Sequence, residues 1–597
     1  MSRAGMRWRW DVRPRRAEAA ELAGRLKLTP LLAQVLYNRG LTEPEPIRQF
    51  LSPKLSDLHE PTLLSGVEAA ADRICQAVRD GRKICIYGDY DVDGMTAIAI
   101  LCRCLALAGA AVDYYVPHRL EEGYGVNQEA VEKIAAGGTG LMVTVDCGIS
   151  SMGPLGRAAE LGLEVIVTDH HAPGEALPPA AAIVHPGLGD YPNRELSGAG
   201  VAFKLAWQVA RGLCGNRRVD ERMKAFLLEA TSLAALGTIA DVVPLVGENR
   251  VLASFGLRGL AGLEHAGIRA LIDSAGLAGE KIDAYHVGFC LAPRLNACGR
   301  MGHAGLAVEL LTRPDPARCR EIADYLHQQN LQRQRIEREI YEQAVEMVCS
   351  GRTPGPREHA LVLASPEWHA GVVGIVASRM VERFGRPTVL LATPNGQAQG
   401  SARSVRGFNM RDALAACAGC LTSFGGHAMA AGLRLPAEKV PQFAAEFARY
   451  AAAHLTPEQL EPALSIEAEA ELGELTEPVV QRLESLAPFG HGNPRPLLAV
   501  RRCRMLTPPQ RMGRDGKAIS FIVAQAPAGA RGAGGAARAG SAPAGRIRCV
   551  GFGMGELADR IAVAAQIDLA GEPVINRFNG RSSVELHLRD VALDPPE

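Results

Sequence analysis

Three aspartates within five residues are the feature of this sequence that most suggests chemistry. Asp89, Asp91 and Asp93 follow the apolar run Lys83–Tyr87, which has the composition of a buried β-strand. Carboxylates beside a buried strand are costly unless a cation compensates their charge, so the segment is a candidate metal site. An exposed acidic turn would account for the same residues, and this segment alone leaves both interpretations open.

Two further candidate strands are followed by residues that can bind metals. Asp146 follows the run Leu141–Val145, and His170 and His171 follow the run Glu164–Val167. In open α/β sheets, ligands bind at the carboxyl ends of the strands, so we expect these side chains to lie at one edge of a sheet. Each residue alone has an ordinary explanation, since an aspartate after a strand usually caps a helix.

The grouping of these residues predicts a metal centre. With Asp241, which follows an apolar helical segment, the ligand set is Asp91, Asp93, Asp146, His170 and Asp241. Carboxylates with imidazole and no cysteine suit Mn²⁺ or Mg²⁺ better than Zn²⁺, and such a set has room for two ions about 3.5–4 Å apart, bridged by Asp146. Two such ions favour hydrolysis of phosphoesters or phosphoanhydrides. The sequence contains no P-loop, so ATP-driven chemistry is not indicated.

The elements that must position these residues alternate between helix and short apolar run from about residue 70 to 250. Runs rich in β-branched or aromatic residues predict a parallel sheet. These runs are Lys83–Tyr87, Val112–Val116, Leu141–Val145, Glu164–Val167 and Ala181–Val184. Residues 316–348 predict one helix, about 50 Å long at 1.5 Å per residue, and a helix of that length is expected to connect two domains.

Beyond that helix, a second α/β unit is predicted from about 355 to 455, and a small β-barrel or sandwich after about 464. The strand-like runs are Ala360–Ala364, Thr388–Ala392, Ala518–Ala524, Arg546–Phe552 and Ser583–Val591. The segment 526–545 is almost entirely Ala, Gly, Arg, Pro and Ser. That composition is typical of a disordered surface loop.

The overall composition indicates the number of domains, the way in which nucleic acid could bind and the cellular location. The 597 residues are too many for one core, so three or four domains are expected. Because the formal net charge is zero, nucleic-acid binding would have to be local to a groove with its own arginines. No run approaches the roughly 20 apolar residues of a membrane span, and the basic N-terminus lacks the apolar core of a secretory signal. A cytoplasmic protein is therefore expected, with its 14 cysteines as reduced thiols. The oligomeric state stays open, with a monomer as the default.

Several longer motifs resemble one family. They are Gly88–Gly94 (GDYDVDG), Asp169-His170-His171, Leu236–Val243 (LGTIADVV), Ala292–Met301 (APRLNACGRM), Trp368–Arg379 (WHAGVVGIVASR), Gly425–Gly432 (GGHAMAAG) and Pro488–Pro494 (PFGHGNP). The aspartate turn and the Asp-His-His triplet are similar to the DHH phosphoesterase superfamily, and the order and spacing of all the motifs resemble its RecJ family. The resemblance implies a 5′-to-3′ exonuclease that hydrolyses single-stranded DNA to mononucleotides with Mn²⁺ or Mg²⁺, in DNA recombination and repair.

The resemblance also implies a fold class and a domain order. The fold class is α/β, with a parallel-sheet DHH domain, a long connecting helix, a smaller α/β DHHA1 domain and a C-terminal OB-like β-barrel. The expected segments are an N-terminal helical segment at 1–55, the DHH domain at 56–314, the connecting helix at 315–350, the DHHA1 domain at 351–455 and the OB-like domain at 460–597 with the loop 526–545.

Site residues follow from the same resemblance, position by position. The family's metal ligands match Asp91, Asp93, Asp146, His170 and Asp241. Asp89 belongs to the metal site beside them, and His171 is implied as a catalytic residue that contacts the scissile phosphate. The residues implied to hold DNA or its 5′-phosphate are Arg119, Arg294, Asn296, Arg300, His369, Arg379, Ser401, Arg403 and His427. Arginine suits this role through bidentate phosphate contacts, and a surface or helix-capping ion pair is the alternative for each arginine.

The implied partners are single-stranded DNA, a helicase and a single-strand-binding protein, and no membrane. Two other functions stay open. One is a DHH phosphodiesterase acting on short RNA or cyclic dinucleotides, which would not need the N-terminal region or the barrel. The other is a non-catalytic replication or repair scaffold, which would not need the complete ligand set. His118 and His303 depart from the family pattern, where an asparagine and an acidic residue are expected, and both lie outside that set.

Overall fold

The computed structural model describes residues 8–118, 122, 125–215, 218–260, 262–300, 303–353, 358–525, 545–578 and 580–593. The chain divides into two compact units. The first unit comprises Arg48–Arg335 and Ala487–Pro494, and the second comprises Met1–Ile47, Ile336–Leu486 and Arg495–Glu597. The predicted fold class is confirmed, since a parallel α/β sheet, a long helix, a second α/β sheet and a β-barrel follow one another along the chain.

The N-terminal segment begins with a strand and continues with helices. Its elements are β1 (Arg9–Val12), α1 (Ala17–Leu26), α2 (Pro30–Asn38) and α3 (Pro44–Leu51). The strand corrects the prediction of an entirely helical segment at 1–55. Strand β1 pairs in parallel with Ala463–Ile466, and a partner so distant in sequence leaves no local signal in residues 9–12.

In the described part of the chain, the first unit is built on a five-stranded parallel sheet with the order β3-β2-β4-β5-β6. The strands are β2 (Ile84–Gly88), β3 (Val112–Tyr115), β4 (Leu141–Val145), β5 (Glu164–Thr168) and β6 (Ala182–Val184). All of them were predicted, with bounds that differ by one residue at most. Strands β2 and β4 are buried along their whole length, which is why they are continuous apolar runs rather than alternating ones.

Helices cover both faces of this sheet. They are α4 (Val67–Arg79), α5 (Val92–Leu107), α6 (Gln128–Ala136), α7 (Met152–Glu160), α8 (Gly198–Leu213), α9 (Glu221–Ala240), α10 (Gly247–Leu260), α11 (Ala266–Ser274), α12 (Ala284–His286), α13 (Ala292–Arg300) and α14 (Ala304–Thr312). The main core lies between one sheet face and α4, α5, α8 and α9. A smaller core lies between the other face and α6 and α7, so the sheet is fixed from both sides.

Helix α9 is long and apolar enough to cross a membrane by length and mean hydropathy, although no such segment was expected from the composition. It packs against α5, α8 and α10, and 72% of its apolar window is buried inside the protein. Its apolar character is that of a core helix. Among the described residues, no other helix passes the same test.

The predicted long helix is confirmed as α15 (Pro316–Cys349), whose residues are divided between the two units. After it, the second unit contains a sheet with the order β10-β11-β9-β8-β7. Its elements are β7 (Leu361–Ser365), α16 (Val373–Phe384), β8 (Thr388–Ala392), β9 (Gln397–Arg403), α17 (Met410–Ala416), β10 (Ser423–Gly426), β11 (Ala430–Pro436) and α18 (Val440–His454). Strands β7 and β8 are the two that the sequence predicts here.

The C-terminal part of the second unit forms the predicted barrel. Its elements are α19 (Pro457–Leu460), β12 (Ala463–Ile466), β13 (Ala468–Glu469), α20 (Glu477–Leu483), β14 (Leu498–Met505), β15 (Gln510–Met512), β16 (Ala518–Gln525), β17 (Arg546–Gly551), α21 (Ala558–Val563), β18 (Ile567–Phe578) and β19 (Arg581–Leu593). The strand order is β13-β14-β18-β19-β17-β16-β15, and β14 also pairs with β16, which closes the barrel. The predicted loop at 526–545 lies outside the described residues except for Gly545.

A buried ion pair joins α8 and α10 inside the first unit. The Lys204 ammonium pairs with Oε1 of Glu248, and both side chains are fully buried. Oε2 of Glu248 accepts a hydrogen bond from the Tyr191 hydroxyl at 2.6 Å, and Oε1 accepts one from the N–H of His59 at 3.0 Å. Charges buried this deeply are tolerated because they have partners, and removal of one partner is costly.

We expect Glu248→Gln to lower the free energy of unfolding by about 3–5 kcal/mol, because the Lys204 charge then stays buried without its counter-charge. Urea denaturation followed by tryptophan fluorescence measures the change. Glu221→Gln is the matched control, since it removes the partner of an exposed lysine, Lys224, and should cost less than about 1 kcal/mol. Equal and small changes in both variants would contradict the role of the buried pair.

Candidate metal centre

Three neighbouring strands place acidic and histidine side chains at one edge of the first unit's sheet. Strand β2 leads into the aspartate turn at 89–93, β4 into Asp146, and β5 into Asp169, His170 and His171. Strands β2, β4 and β5 are adjacent, and the chain reverses its direction across the sheet between β2 and β4. Such a reversal opens a crevice beyond the strand ends, where ligands bind in sheets of this kind.

The aspartate turn is fixed by the two helices that begin beside it. Asp91 is the N-cap of α5, and its Oδ1 accepts hydrogen bonds from the N–H groups of Asp93 at 2.9 Å and Gly94 at 3.1 Å. The Asp93 carboxylate accepts hydrogen bonds from the N–H groups of Gly198 at 2.6 Å and Ala199 at 2.9 Å, at the start of α8. The positive end of a helix dipole therefore compensates part of the Asp93 charge.

Close packing leaves Asp93 little freedom to move. A Cβ at Gly237 of α9 would clash with Oδ1 of Asp93, and a Cβ at Gly198 would lie 2.6 Å from Oδ1 of Asp146. Any larger side chain at either glycine would displace a carboxylate. The glycines of α8 and α9 thus let two core helices approach the acidic residues.

The His170 imidazole lies at the centre of the cluster. Its Nε2 is 3.1 Å from Oδ1 of Asp146, 3.6 Å from Oδ2 of Asp241 and 3.8 Å from Oδ2 of Asp93. Three groups of residues each bring one ligand atom per residue within 4.8 Å of one another. They are Asp146 with His170 and His171, Asp93 with His170 and Asp241, and Asp89 with Asp91 and Asp146.

These donors fit a divalent cation. Oδ1 of Asp146 is buried and accepts no hydrogen bond from the described residues, although His170 Nε2 is only 3.1 Å away. Asp146 also has a φ of 58°, a left-handed conformation that is uncommon for a non-glycine residue, although aspartate tolerates it better than most. Backbone strain of this kind is found at ligand-binding positions, and a buried acceptor without a donor is satisfied by a metal ion. Oxygen and imidazole donors are those that Mn²⁺ and Mg²⁺ accept.

Burial and mutual repulsion hold protons on the acidic residues when no cation is bound. Burial, with the neighbouring charge of Asp91, raises the pKa of Asp93 to about 7. Burial, with the charges of the other aspartates, raises the pKa of Asp241 to about 9 and that of Asp146 well above its usual range. Since a divalent ion removes this repulsion, metal binding and proton release are coupled at the site.

Asp169 orients the neighbouring His171 ring. Its Oδ1 is 2.8 Å from Nδ1 of His171, and its Oδ2 accepts a hydrogen bond from the Ile149 N–H at 2.9 Å. Burial would raise the pKa of Asp169, but these hydrogen bonds outweigh it and lower the pKa. Burial would lower the pKa of His171, but the Asp169 contact and the charges of Asp91 and Asp89 raise it. These contacts therefore stabilise the protonated ring of His171 when no cation is bound.

Three of the four predicted DNA-contacting residues of the first unit, Arg294, Asn296 and Arg300, lie on α13. Gly299 of this helix approaches the aspartate turn so closely that a Cβ there would lie 2.5 Å from the Tyr90 carbonyl oxygen. The half-buried Arg294 donates to the carbonyl of Cys290 at 2.6 Å and contacts Nδ1 of His327 at 3.2 Å. Asn296 and Arg300 are partly exposed on the same helix, and Arg119 lies outside the described residues.

In the second unit, Ser401 and Arg403 lie on β9 against the start of α16. A Cβ at Gly374 would lie 3.0 Å from Oγ of Ser401 and 3.1 Å from a terminal nitrogen of Arg403. A hydroxyl and a guanidinium beside the first turn of a helix form an environment that suits a phosphate. The exposed His427 follows β10, two strands along the same sheet.

The remaining two predicted contacts of this unit are Arg379 and His369. Arg379 pairs with Glu337 at 2.9 Å and stacks on the Tyr341 ring at 4.0 Å, both in α15. Nδ1 of His369 accepts a hydrogen bond from the Gly371 N–H at 3.1 Å, and burial lowers the pKa of this histidine. This geometry favours structural roles for both residues.

Two contributors to the site were absent from the predicted residues. Asp169 belongs to the quoted motif, but its action through His171 depends on a rotamer that the sequence does not show. The turn at Ser197–Ala199 carries no acid or base, and Ser197 caps α8 by accepting from the Gly200 N–H at 3.1 Å. A serine followed by glycines at a helix start is a signal for anion binding that could have pointed to this turn.

Comparisons with known proteins agree with this architecture. The chain matches the models of the DHH family N-terminal domain at residues 83–238, the DHHA1 domain at 358–453 and the RecJ OB domain at 466–590. It is 38% identical to the single-stranded-DNA-specific exonuclease RecJ of Bacillus subtilis, over 98% of this chain and 71% of the relative. It is also 38% identical to the Escherichia coli protein of the same name, over 82% of this chain and 86% of the relative.

Solved structures of RecJ are also similar to this chain. RecJ from Thermus thermophilus in complex with Mn²⁺ superposes with a TM-score of 0.81 at 32% identity, covering 99% of this chain and 80% of that chain. The complex of that protein with Mg²⁺ has a TM-score of 0.76 at 31% identity, covering 99% and 79%. With this identity over nearly its whole length, and the acidic site at the sheet edge, the chain belongs to the RecJ family of the DHH phosphoesterases.

Proposed function

We propose that this protein is a metal-dependent exonuclease that hydrolyses single-stranded DNA from the 5′ end and releases mononucleotides, in DNA recombination and repair. The observation that carries the proposal is the convergence of His170 on Asp93, Asp146 and Asp241 at the end of the parallel sheet. Relatives that match 98% and 82% of this chain carry the name of single-stranded-DNA-specific exonucleases, and their family supplies the polarity of the proposal.

The cofactor is Mn²⁺ or Mg²⁺, and we assign two ions to the site. The proposed ligands are Asp91, Asp93, Asp146, His170 and Asp241, with Asp89 beside them. Bound ions of this kind activate a water for attack on phosphorus and neutralise the leaving oxygen. Asp146 is the proposed bridge, because it belongs to two of the three ligand groups and its buried Oδ1 accepts no hydrogen bond from the described residues.

The remaining residues orient the proposed metal ligands or contact the phosphates of the substrate. Helix α8 holds Asp93, and Asp91 caps α5, so the two carboxylates keep fixed orientations. Asp169 holds Nδ1 of His171, so that imidazole keeps a fixed orientation beside the phosphate under attack. In the second unit, Ser401 and Arg403 are the proposed ligands of the substrate's 5′-terminal phosphate. Arg300 and Asn296 remain proposed DNA contacts of α13.

The cellular setting follows from the same family. The proposed location is the cytoplasm, and the proposed state is a monomer. Single-stranded DNA is the substrate, and a helicase with a single-strand-binding protein would supply it.

The first experiment tests substrate and polarity together. A single-stranded oligonucleotide labelled at its 5′ end should release a labelled mononucleotide early in the reaction with Mn²⁺ or Mg²⁺, whereas the 3′-labelled strand should release label late. Chelator should stop both reactions, and duplex and RNA substrates should be resistant. Cleavage of short RNA or cyclic dinucleotides alone would favour the phosphodiesterase alternative, and tight DNA binding without any cleavage would favour a scaffold.

The second experiment tests the proposed bridging ligand. Asp146→Asn should reduce cleavage by at least about a thousandfold, because it removes a charge shared by both ions, while the far-ultraviolet circular dichroism spectrum stays unchanged. Asp273→Asn, which changes an exposed aspartate of α11 in the same unit, is the control and should keep full activity. Metal-dependent cleavage at the normal rate by Asp146→Asn would contradict the two-ion assignment.

The third experiment uses the raised pKa values of Asp93, Asp146 and Asp241. Without metal, the folded protein holds protons that the unfolded chain has released, so its stability falls as pH rises towards the Asp241 pKa of about 9. A divalent ion displaces those protons. The rise in melting temperature on adding Mg²⁺ should therefore be larger at about pH 8.5 than at about pH 6, and smaller in Asp146→Asn at both pH values. Equal rises at both pH values in the unaltered protein would refute this coupling.

A further inference from the structure

The loop Ala487–Pro494 belongs to the first unit, although the chain on both sides of it belongs to the second. It contains the motif Pro488–Pro494, which lies outside the metal-ligand set and the proposed DNA contacts. The loop is closed on itself, because Gly490 and Asn493 exchange backbone hydrogen bonds at 2.9 and 3.1 Å. The buried Asn493 side chain also donates Nδ2–H to the Pro488 carbonyl at 2.8 Å. It is therefore a preformed structure and not a loose connection.

This loop packs against the turn that follows Asp241. The N–H of Leu245 donates to the carbonyl of His491 at 2.8 Å. A Cβ at Gly492 would lie 2.9 Å from Cβ of Pro244, and a Cβ at Gly490 would lie 2.6 Å from Cδ1 of Leu245. At Gly492, which also has a φ of +69°, a larger residue would strain this contact, whereas the end of the Leu245 side chain can move away from a Cβ at Gly490.

A buried arginine forms a hydrogen bond with the other end of the loop. Arg250 of α10 is 2% exposed, and its guanidinium donates to the carbonyls of Ala487 at 2.7 Å and Phe50 at 2.7 Å. The same guanidinium stacks on the Phe50 ring at 3.8 Å. Because Arg250 and Leu245 are separated by little more than one helical turn of sequence, the loop is attached to the same short segment at both of its ends.

The turn at 241–245 needs such support. Val242 has a φ of 62° and is 62% exposed, and a β-branched residue adopts this conformation only when its surroundings impose it. On one side, Nδ2 of Asn249 donates to the Pro244 carbonyl at 3.1 Å. On the other side, residues 490–492 of the loop pack against Pro244 and Leu245, and the Leu245 side chain is anchored in the main core of the unit.

We infer that the loop Ala487–Pro494 is a positioning element for the metal ligand Asp241, an inference that rests on the function proposed above. The loop holds Pro244 and Leu245, which keeps Val242 in its strained conformation and thereby fixes the direction of the Asp241 carboxylate. Residues that orient a metal ligand change metal affinity by about 10–100-fold when they are altered. The motif thus acts on metal binding and not on DNA binding.

Gly492→Ala tests this inference, because the new Cβ would press on Pro244. Mn²⁺ binding is measured without DNA, from the electron paramagnetic resonance signal of free Mn²⁺, and cleavage is measured as a function of Mn²⁺ concentration. The variant should bind at least one Mn²⁺ about tenfold more weakly, and half-maximal cleavage should require about tenfold more Mn²⁺. Its KM for single-stranded DNA at saturating Mn²⁺ should stay within about twofold of the unaltered protein.

Gly276→Ala is the matched control. Gly276 lies in the same unit with a φ of +72°, against +69° for Gly492, but a Cβ there would meet no atom within 4 Å. This variant carries the same backbone strain and should bind Mn²⁺ normally. Asn493→Ala, which releases the Pro488 carbonyl, loosens the loop instead of pressing on it and should also weaken Mn²⁺ binding. It replaces Gly492→Ala if that variant does not fold.

The outcomes separate the two proposals. Mn²⁺ binding by the loop variants equal to that of Gly276→Ala would overturn the positioning role while leaving the nuclease assignment intact. A higher KM for DNA with unchanged Mn²⁺ binding would likewise overturn it, because the loop would then serve substrate binding. Failure of the unaltered protein to bind Mn²⁺ and cleave single-stranded DNA would instead overturn the proposed function itself.

Discussion

Repulsion among buried carboxylates is the constraint on which the rest of the first unit depends. Asp93 and Asp146 are almost completely buried, and His170 Nε2 lies within 4 Å of both and of Asp241. Burial raises the pKa of each of these aspartates, so the protein alone does not hold them all charged near neutral pH. The arrangement costs free energy without a cation, and a divalent ion offsets that cost.

The surrounding structure compensates part of the negative charge of these carboxylates and fixes their positions. The start of α8 donates two backbone N–H groups to Asp93, and Asp91 is held by the start of α5. Rigid strand ends and helix starts position ligands more accurately than flexible loops do. Asp241, the proposed ligand that lies on a turn, has a segment from far along the chain packed against that turn.

The arginines expected to hold DNA differ in their surroundings. Arg379 is paired with Glu337 and stacked on Tyr341, and Arg294 donates to the Cys290 carbonyl. Arg403 donates to the Ala402 carbonyl and also lies beside Ser401 and the start of α16, where a phosphate would meet a helix N-terminus as well as a guanidinium. Because the net charge of the chain is zero, any binding of nucleic acid would depend on such local groups and not on a general positive charge.

The sequence by itself determined the parallel sheet, the long helix and the barrel, because apolar runs such as Leu141–Val145 are local patterns that depend on burial alone. It also determined which side chains could bind metal, since Asp146 and His170 each follow a buried strand. Only the tertiary structure decided what these residues do together. The pairing of β1 with β12, the hydrogen bonds from the start of α8 to Asp93 and the packing of residues 490–492 against Pro244 all join segments distant in sequence. Such contacts leave no periodic signal in either segment, because they depend on the order of strands in the sheet and on the few ångströms between helices.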